Sequence, residues 1–148
     1  MADFNKTKLK LPTFEILVQD RKVRCLIRKK WVELTPEEWV RQHFLNLLVN
    51  HLGYPKGLIK LEQPLRYFKN SKRSDISILN RTQGLFMVVE CKASQVYIDQ
   101  EVVKQVSEYN KVLKASYMSV TNGINHFVWR YNDEGVKQLS TFPEYGDQ

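Results

Sequence analysis

The 148 residues of this chain favour a single domain that is large enough to enclose a hydrophobic core. Hydrophobic residues make up 43% and charged residues 26%, which is ordinary for a globular protein, and no apolar run approaches the roughly 20 residues that span a bilayer. The opening segment MADFNKTKLKLP lacks the apolar centre of a secretory signal, so we expect a cytoplasmic protein with no membrane partner.

The formal net charge of +7 weakly favours a polyanionic partner such as nucleic acid. Cys25 and Cys91 each lie in a predicted strand and lack Cys-x-x-Cys spacing. We therefore interpret both as small buried hydrophobic residues rather than as part of a disulfide framework or a zinc site.

The first part of the chain predicts a basic leader followed by a β-hairpin. Residues 1–12 are expected to be flexible, and 13–148 to form one domain with its core at about 31–132. The β-rich runs FEILVQD (14–20) and VRCLIRK (23–29) predict two strands joined at Arg21 and Lys22.

The segment LTPEEWVRQHFLNLLVNHLGYP carries the strongest helix signal in the chain. Thr35 is placed as the N-cap, Pro36 as the first helical residue, and Glu38 as the returning partner of a capping box. Apolar residues recur at helical spacing until Gly53 and Pro55, which end the predicted helix.

The remaining pattern alternates strands with one more helix. A strand at 58–65 precedes the hairpin DISILN–RTQG–LFMVVECKA, then a helix at 99–116, and then two strands on either side of the turn Thr-Asn-Gly. The order of hairpin, α, β, β, β, α, β, β indicates an α/β (α+β) fold with a central mixed β-sheet flanked by helices.

Glu90 and Lys92 are unusual because they follow a hydrophobic strand directly. Side chains alternate along a strand, so these two share a face, and the four-residue turn brings Asp75 to the same end of the hairpin. Two carboxylates at one place favour a divalent cation, and Mg²⁺ prefers oxygen ligands. An adjacent ammonium suits phosphodiester hydrolysis. The alternative interpretation is a surface salt bridge of little energetic value.

Gln105 and Tyr109 are four residues apart, so they share one face of the second predicted helix. There they can hydrogen-bond a nucleophile, a ligand or a phosphate oxygen. Alternatively they reflect only the amphipathic pattern of that helix, with Tyr109 at the edge of the core.

The ordered motifs Asp75, Glu90-x-Lys92 and Gln105-x-x-x-Tyr109 resemble the PD-(D/E)xK nuclease superfamily. More narrowly, the blocks LTPEEWVRQHFLNLLVNHLGYP, KRSDISILN, FMVVECKA, QVSEYN and VTNG resemble the N-terminal nuclease domain of type I restriction enzyme R subunits, from about Trp31 to Trp129.

The resemblance implies a restriction-endonuclease-like core and a role for each matching residue. Asp75 and Glu90 would hold Mg²⁺, which Mn²⁺ can replace, with help from the backbone carbonyl of Cys91. Lys92 would orient the attacking water, and Gln105 and Tyr109 would support the site. Some relatives add an acid from the first helix. Glu38 is one candidate for that role, although its cap position already explains it, and Glu62 is another.

Two departures from the family pattern stand out. Ser74 precedes Asp75 where the superfamily name has proline, and the sequence lacks the Gly-x-x-x-x-Gly-Lys-Ser/Thr phosphate loop of the motor that R subunits carry. We therefore expect a nuclease domain that acts alone, as a homodimer, or with separately encoded restriction-modification or helicase subunits.

Four basic residues before Asp75 are candidates for backbone contacts to DNA: Arg66, Lys69, Lys72 and Arg73. Three hypotheses stay open at this point. The chain is a Mg²⁺-dependent DNA endonuclease, a catalytically silent DNA-binding or assembly module on the same scaffold, or a structural domain that docks through its N-terminal hairpin.

Overall fold

Two β-sheets and two main helices make up the part of the chain that the computed structural model describes, residues 8–64 and 73–146, with the side chains of Arg73 and Ser74 outside that description. A small sheet of three strands precedes the first helix, and a sheet of six strands carries the core. The predicted mixed α/β fold is therefore confirmed.

The small sheet contains the predicted hairpin and one strand more. Its antiparallel strands are β1 (Val18–Gln19), β2 (Lys22–Arg24) and β3 (Trp31–Glu33). The hairpin turns at Asp20 and Arg21, whose φ angles of 51° and 63° fit a two-residue turn of the primed type. The predicted strands at 14–20 and 23–29 are too long, and Cys25 lies just after β2 rather than within it.

Helix α1 (Pro36–Asn46) begins where its sequence predicts. The Thr35 hydroxyl accepts a hydrogen bond from the backbone N–H of Glu38 at 3.1 Å. Residues Leu47–His51 then continue as one π-helical turn, which the sequence did not predict. Gly53 has a φ of 71° and follows this turn as expected.

The large sheet has the strand order β4-β5-β6-β7-β8-β9. All neighbours are antiparallel except β6 and β7, which are parallel and are joined across α2 (Gln100–Leu113). The strand bounds are Ile59–Pro64 for β4, Arg73–Leu79 for β5, Leu85–Cys91 for β6, Tyr117–Thr121 for β7, His126–Asn132 for β8 and Gly135–Leu139 for β9. The sequence analysis missed β9, and a single 3₁₀ turn at Lys56–Leu58 leads into β4.

Each face of the large sheet is covered by one helix. On one face, Val40 and Phe44 of α1 pack with Ile76 and Val89 in the larger hydrophobic cluster. On the other face, Val106 of α2 packs in a second cluster of the following residues: Val88, Met118, Val120 and Trp129. Alternation along each strand therefore decides which helix a side chain meets.

The segment just before the small sheet is attached to the large sheet. Leu9 is 9% exposed in the larger cluster, and the backbone N–H of Lys10 donates to the Gly123 carbonyl at 2.7 Å. These contacts involve the last residues of the segment expected to be a flexible leader. Across the described ranges, none of the helices combines the length and apolar character that a membrane crossing requires.

Candidate functional site

The β5–β6 hairpin places Asp75 and Glu90 opposite each other. Ile76 pairs with Val89, so the next position outward on each strand is Asp75 on β5 and Glu90 on β6. Directly opposite residues of an antiparallel pair project from the same face of a sheet. The ladder therefore places the two residues at the same end of the hairpin.

Hydrogen bonds and charge hold this end of the hairpin in place. The backbone N–H of Cys91 donates to Asp75 Oδ2 at 2.7 Å, which fixes the direction of that carboxylate. Lys92 Nζ lies 3.8 Å from Glu90 Oε1, and the two side chains are 28% and 17% exposed. The ammonium and the glutamate thus share a half-buried setting that solvent still reaches.

Cys91 follows Glu90 on β6, but it points its thiol to the other face of the sheet, into the α1 cluster. Burial raises the pKa of this thiol, and the negative charges of Asp75 and Glu90 add to the increase. The thiol is therefore neutral, and the part of Cys91 that contacts the site is its backbone.

A buried ionic cluster lies on the α1 side of Asp75. Glu38, which is 6% exposed, accepts hydrogen bonds from Arg41, Gln42 and Arg28. Burial by itself would raise the pKa of Glu38, but the hydrogen bonds and charges of these neighbours hold it below its usual value. The carboxylate of Glu38 is thus ionised and engaged with two arginines rather than returning to the Thr35 backbone as a capping box.

Arg41 connects this ionic cluster to the candidate site. Its Nη1 donates to the backbone carbonyl of Asp75 at 3.3 Å, while Nε donates to Glu38 Oε2 at 2.9 Å. Burial disfavours the charged guanidinium, yet Glu38 outweighs that cost and the pKa of Arg41 is raised. Arg41 therefore ties α1 to the start of β5.

Glu62 lies on β4, the strand that flanks β5 on the side away from β6. Its position is level with Asp75, between the pairs Leu61–Ile76 and Gln63–Ser74. Its φ of 55° is in the left-handed region, which costs about 1–2 kcal/mol for a residue with a Cβ. The carboxylate lies 3.4 Å from Arg28 and 3.3 Å from Arg41. Glu62 thus joins the ionic cluster.

Gln105 and Tyr109 lie on one face of α2, as predicted. Gln105 is exposed and Tyr109 half-buried, and both line a shallow groove on the helix surface. Among the described residues, this groove is lined by α2 alone. Asp75, Glu90 and Lys92 thus lie at one end of the hairpin, with Lys92 just after β6, while Gln105 and Tyr109 lie in a groove of their own.

The basic residues proposed for DNA contacts lie at the limit of the described chain. Arg66, Lys69 and Lys72 fall outside the described residues, and Arg73 begins β5 with its side chain outside them too.

Within residues 8–64 and 73–146, no three His, Cys, Asp or Glu side chains are arranged to hold a metal ion. The acids at this end of the hairpin are Asp75 and Glu90, and the ammonium of Lys92 lies beside Glu90. Two carboxylates with water and phosphate oxygens are a typical ligand set for Mg²⁺.

The roles of Arg28 and Arg41 were not predicted from the sequence. Glu38 and Arg41 are three residues apart on one helix, and this spacing could have indicated the salt bridge between them. Arg28 lies in the loop between β2 and β3, and nothing in its local sequence indicates contact with Glu38 or Glu62.

Comparisons with known proteins agree with this architecture. A solved structure of similar fold is a fragment described as an HsdR subunit of a type I restriction enzyme from Vibrio vulnificus YJ016, with 18% sequence identity and a TM-score of 0.54. The similarity covers 72% of this chain and 23% of that chain. No curated protein sequence matches the chain significantly.

The family model described as "Type I restriction enzyme R protein N terminus (HSDR_N)" matches residues 36–143. This range begins at the first residue of α1 and includes the whole large sheet and α2. The chain therefore belongs to the family of type I restriction enzyme R protein N-terminal domains.

Proposed function

We propose that this chain is a Mg²⁺-dependent endonuclease domain of the PD-(D/E)xK type, which hydrolyses phosphodiester bonds in DNA. One observation carries the proposal: Asp75 and Glu90 are opposite each other at the end of the β5–β6 hairpin, with Lys92 Nζ 3.8 Å from Glu90 Oε1. Family membership supports it, because the three residues match the order of the superfamily motif.

The donor set fits a hard divalent cation. Asp75 and Glu90 would supply carboxylate oxygens and the backbone carbonyl of Cys91 a third oxygen, whereas the neutral thiol faces away. Mn²⁺, which accepts similar ligands, is expected to substitute. When bound, the cation would neutralise charge on a phosphate and lower the pKa of a bound water.

The protein's own groups then orient the reactants. The Cys91 N–H holds Asp75 Oδ2, so this carboxylate is already directed before substrate arrives. Lys92, with a side chain that is 28% exposed, is within reach of solvent and would donate hydrogen bonds to the attacking water or to a phosphate oxygen. Gln105 and Tyr109 would support a phosphate or ligand from α2.

The metal role of Glu38 is a weaker part of the proposal. Its carboxylate already accepts hydrogen bonds from Arg28, Arg41 and Gln42, so binding a cation would require giving up some of them. We propose instead that Glu38 and Arg41 keep the start of β5 in position.

We further propose that the domain acts on DNA together with other subunits of a restriction-modification system, which would supply any motor activity. Arg66, Lys69, Lys72 and Arg73 would contact the DNA backbone, so binding should weaken steeply with salt and depend little on sequence. Light scattering would show whether the chain is a homodimer.

The test is cleavage of supercoiled plasmid in Mg²⁺ by the purified wild type and by Asp75→Asn, Glu90→Gln and Lys92→Met. Loss of one such electrostatic group is expected to lower the rate by about 10²–10³. Glu15→Gln and Lys60→Met are matched controls, because both residues are exposed and lie outside the hairpin end. Their rates should equal that of the wild type.

A calorimetric titration with Mg²⁺ or Mn²⁺ separates the proposal from its alternative. Salt-sensitive DNA binding without metal binding or cleavage would favour a silent DNA-binding or assembly module on this scaffold. Equal cleavage by the wild type and the three site variants would show that the activity comes from another site or from a contaminant.

A further inference from the structure

A second cluster of polar residues lies at the edge of the large sheet, away from the candidate nuclease site. Arg130 of β8 pairs with Tyr117 of β7 on one side and with Lys137 of β9 on the other. The three side chains therefore project from the same face of the sheet. They line a recess of about 400 Å³ together with Ser140 and Thr141, which follow β9.

Arg130 and Lys137 form an unfavourable pair by themselves. Like charges directly opposite each other on neighbouring strands are destabilising. Among the described residues, the lining of the recess contains these two cations and no carboxylate, and neither cation has a salt bridge with a described acid. No anion in the described part of the chain therefore offsets the repulsion.

Arg130 also has a buried donor without an acceptor. Its Nε is inaccessible to solvent and has no hydrogen-bond partner within the described part of the chain. Such a group is rare in native structures, because leaving a buried donor unsatisfied costs about 1–3 kcal/mol. Arginine is suited to bind an oxyanion, since its planar fork of donors matches carboxylate and phosphate geometry.

We propose that this recess is an oxyanion site that binds a phosphate group. The guanidinium of Arg130 and the ammonium of Lys137 would supply charge-assisted hydrogen bonds, and the hydroxyls of Ser140 and Thr141 would supply neutral ones. A bound phosphate would remove the repulsion between the two cations, and a turn of the Arg130 side chain toward the recess would give Nε an acceptor.

This site is separate from the carboxylate pair. Tyr117, which is level with Arg130, pairs with Met87, three residues before Glu90 on β6. Side chains separated by an odd number of positions along a strand project from opposite faces of the sheet. Met87 is on the same face as Arg130, so Glu90 is on the opposite face. The inference therefore does not depend on the proposed nuclease activity.

The test follows the Nε–H signal of Arg130 by nitrogen–proton NMR, identified by its loss in Arg130→Lys. The probe is inorganic phosphate, titrated into full-length protein at constant pH and ionic strength, with EDTA present. The signal should shift and saturate in the wild type. Lys137→Ala should weaken phosphate binding by about fivefold, as expected for one exposed charge pair.

Two further variants keep the test decisive. Lys60→Ala removes an exposed lysine from β4, at the other edge of the same sheet, and should leave phosphate binding unchanged. Lys137→Glu places a carboxylate opposite Arg130 and should abolish phosphate binding. A phosphate shift that does not saturate, or that is the same in the wild type, Lys137→Ala and Lys137→Glu, would overturn the proposal.

A second titration identifies where the phosphate comes from. The probe is a short oligonucleotide without terminal phosphates, under the same conditions. If it shifts the Arg130 signal, the site takes the diester groups of a nucleic-acid backbone. If inorganic phosphate shifts the signal and the oligonucleotide does not, the site takes a free phosphate or a terminal phosphate group.

Discussion

Replacing Glu38 with glutamine tests the ionic cluster that holds the start of β5. Glu38 is 6% exposed and accepts hydrogen bonds from Arg28 at 3.0 Å and from Arg41 Nε and Gln42 at 2.9 Å. The amide of Glu38→Gln has no charge, and its NH₂ group must face one of these donors. Breaking a buried ion pair by removing one partner costs about 3–5 kcal/mol.

We expect a loss near the lower end of that range, about 3 kcal/mol, because the Arg28 side chain is 21% exposed and keeps part of its hydration. For a domain of this size, such a loss lowers the melting temperature by about 6–12 °C. The assay is urea unfolding followed by circular dichroism at pH 7. Glu37→Gln is the matched control, since Glu37 is exposed in the same helical turn and its charge contributes only about 0.3–1 kcal/mol.

The pH dependence gives a second measurement of the same interaction. The pKa of Glu38 in the folded protein is held below its usual value of 4.5, so its ion pairs stabilise the fold fully above that pH. The stabilisation is lost as the pH falls through the lower, folded-state pKa. The stability difference between wild type and Glu38→Gln should therefore be largest at pH 7 and narrow below pH 4.5. A difference under 1 kcal/mol at pH 7, or one that stays constant in acid, would refute this reasoning.

Three further outcomes concern backbone conformation, the core and the metal. Gly123→Ala should destabilise by about 2 kcal/mol or more, because φ is 86° and a Cβ would lie 2.8 Å from Leu9 Cδ2. Gly53 has a φ of 71°, but a Cβ added there would have no atom within 4 Å, so Gly53→Ala should cost only about 1 kcal/mol. Equal losses of stability for the two glycine variants in urea unfolding would contradict the role of the close contact. Leu48 is 0% exposed, so Leu48→Ala should cost about 2–5 kcal/mol of stability. Leu17 is 53% exposed, so Leu17→Ala should change stability by under about 0.5 kcal/mol. Similar losses for the two variants in the same assay would be inconsistent with this core assignment. Chelation by EDTA should stop plasmid cleavage and excess Mg²⁺ restore it, and nicking that persists in EDTA would contradict a metal-dependent mechanism.

Local signals in the sequence predicted most of the regular structure. The Thr35 cap and Pro36 located the start of α1, because helix ends are specified by the residues at the ends themselves. The hairpin of β5 and β6 followed from its alternation and short turn, which put Asp75 and Glu90 at the same end of it. Those parts depend on residues that are close together in the chain.

What the sequence did not predict depends on contacts between distant segments. Strand β3 has three residues and β9 alternates weakly, so each is specified by the strand beside it rather than by its own pattern. The contacts of Arg28 with Glu38 and Glu62 cross 10 and 34 residues of chain. The π-helical turn that ends α1 also has no local signal that we can identify.

The single parallel pair in the large sheet has a consequence for how the protein folds. Strands β4–β6 and β7–β9 are each antiparallel neighbours in the chain, and such local pairs form quickly. Joining the two halves requires the crossover between Cys91 and Tyr117, which contains α2, so this step closes a long loop and should come late. Asp75, Glu90 and Lys92 belong to the first half, while Gln105 and Tyr109 arrive with the crossover. A newly made chain would then assemble its two acids and its lysine early, but would complete the proposed site only when the two halves of the sheet meet.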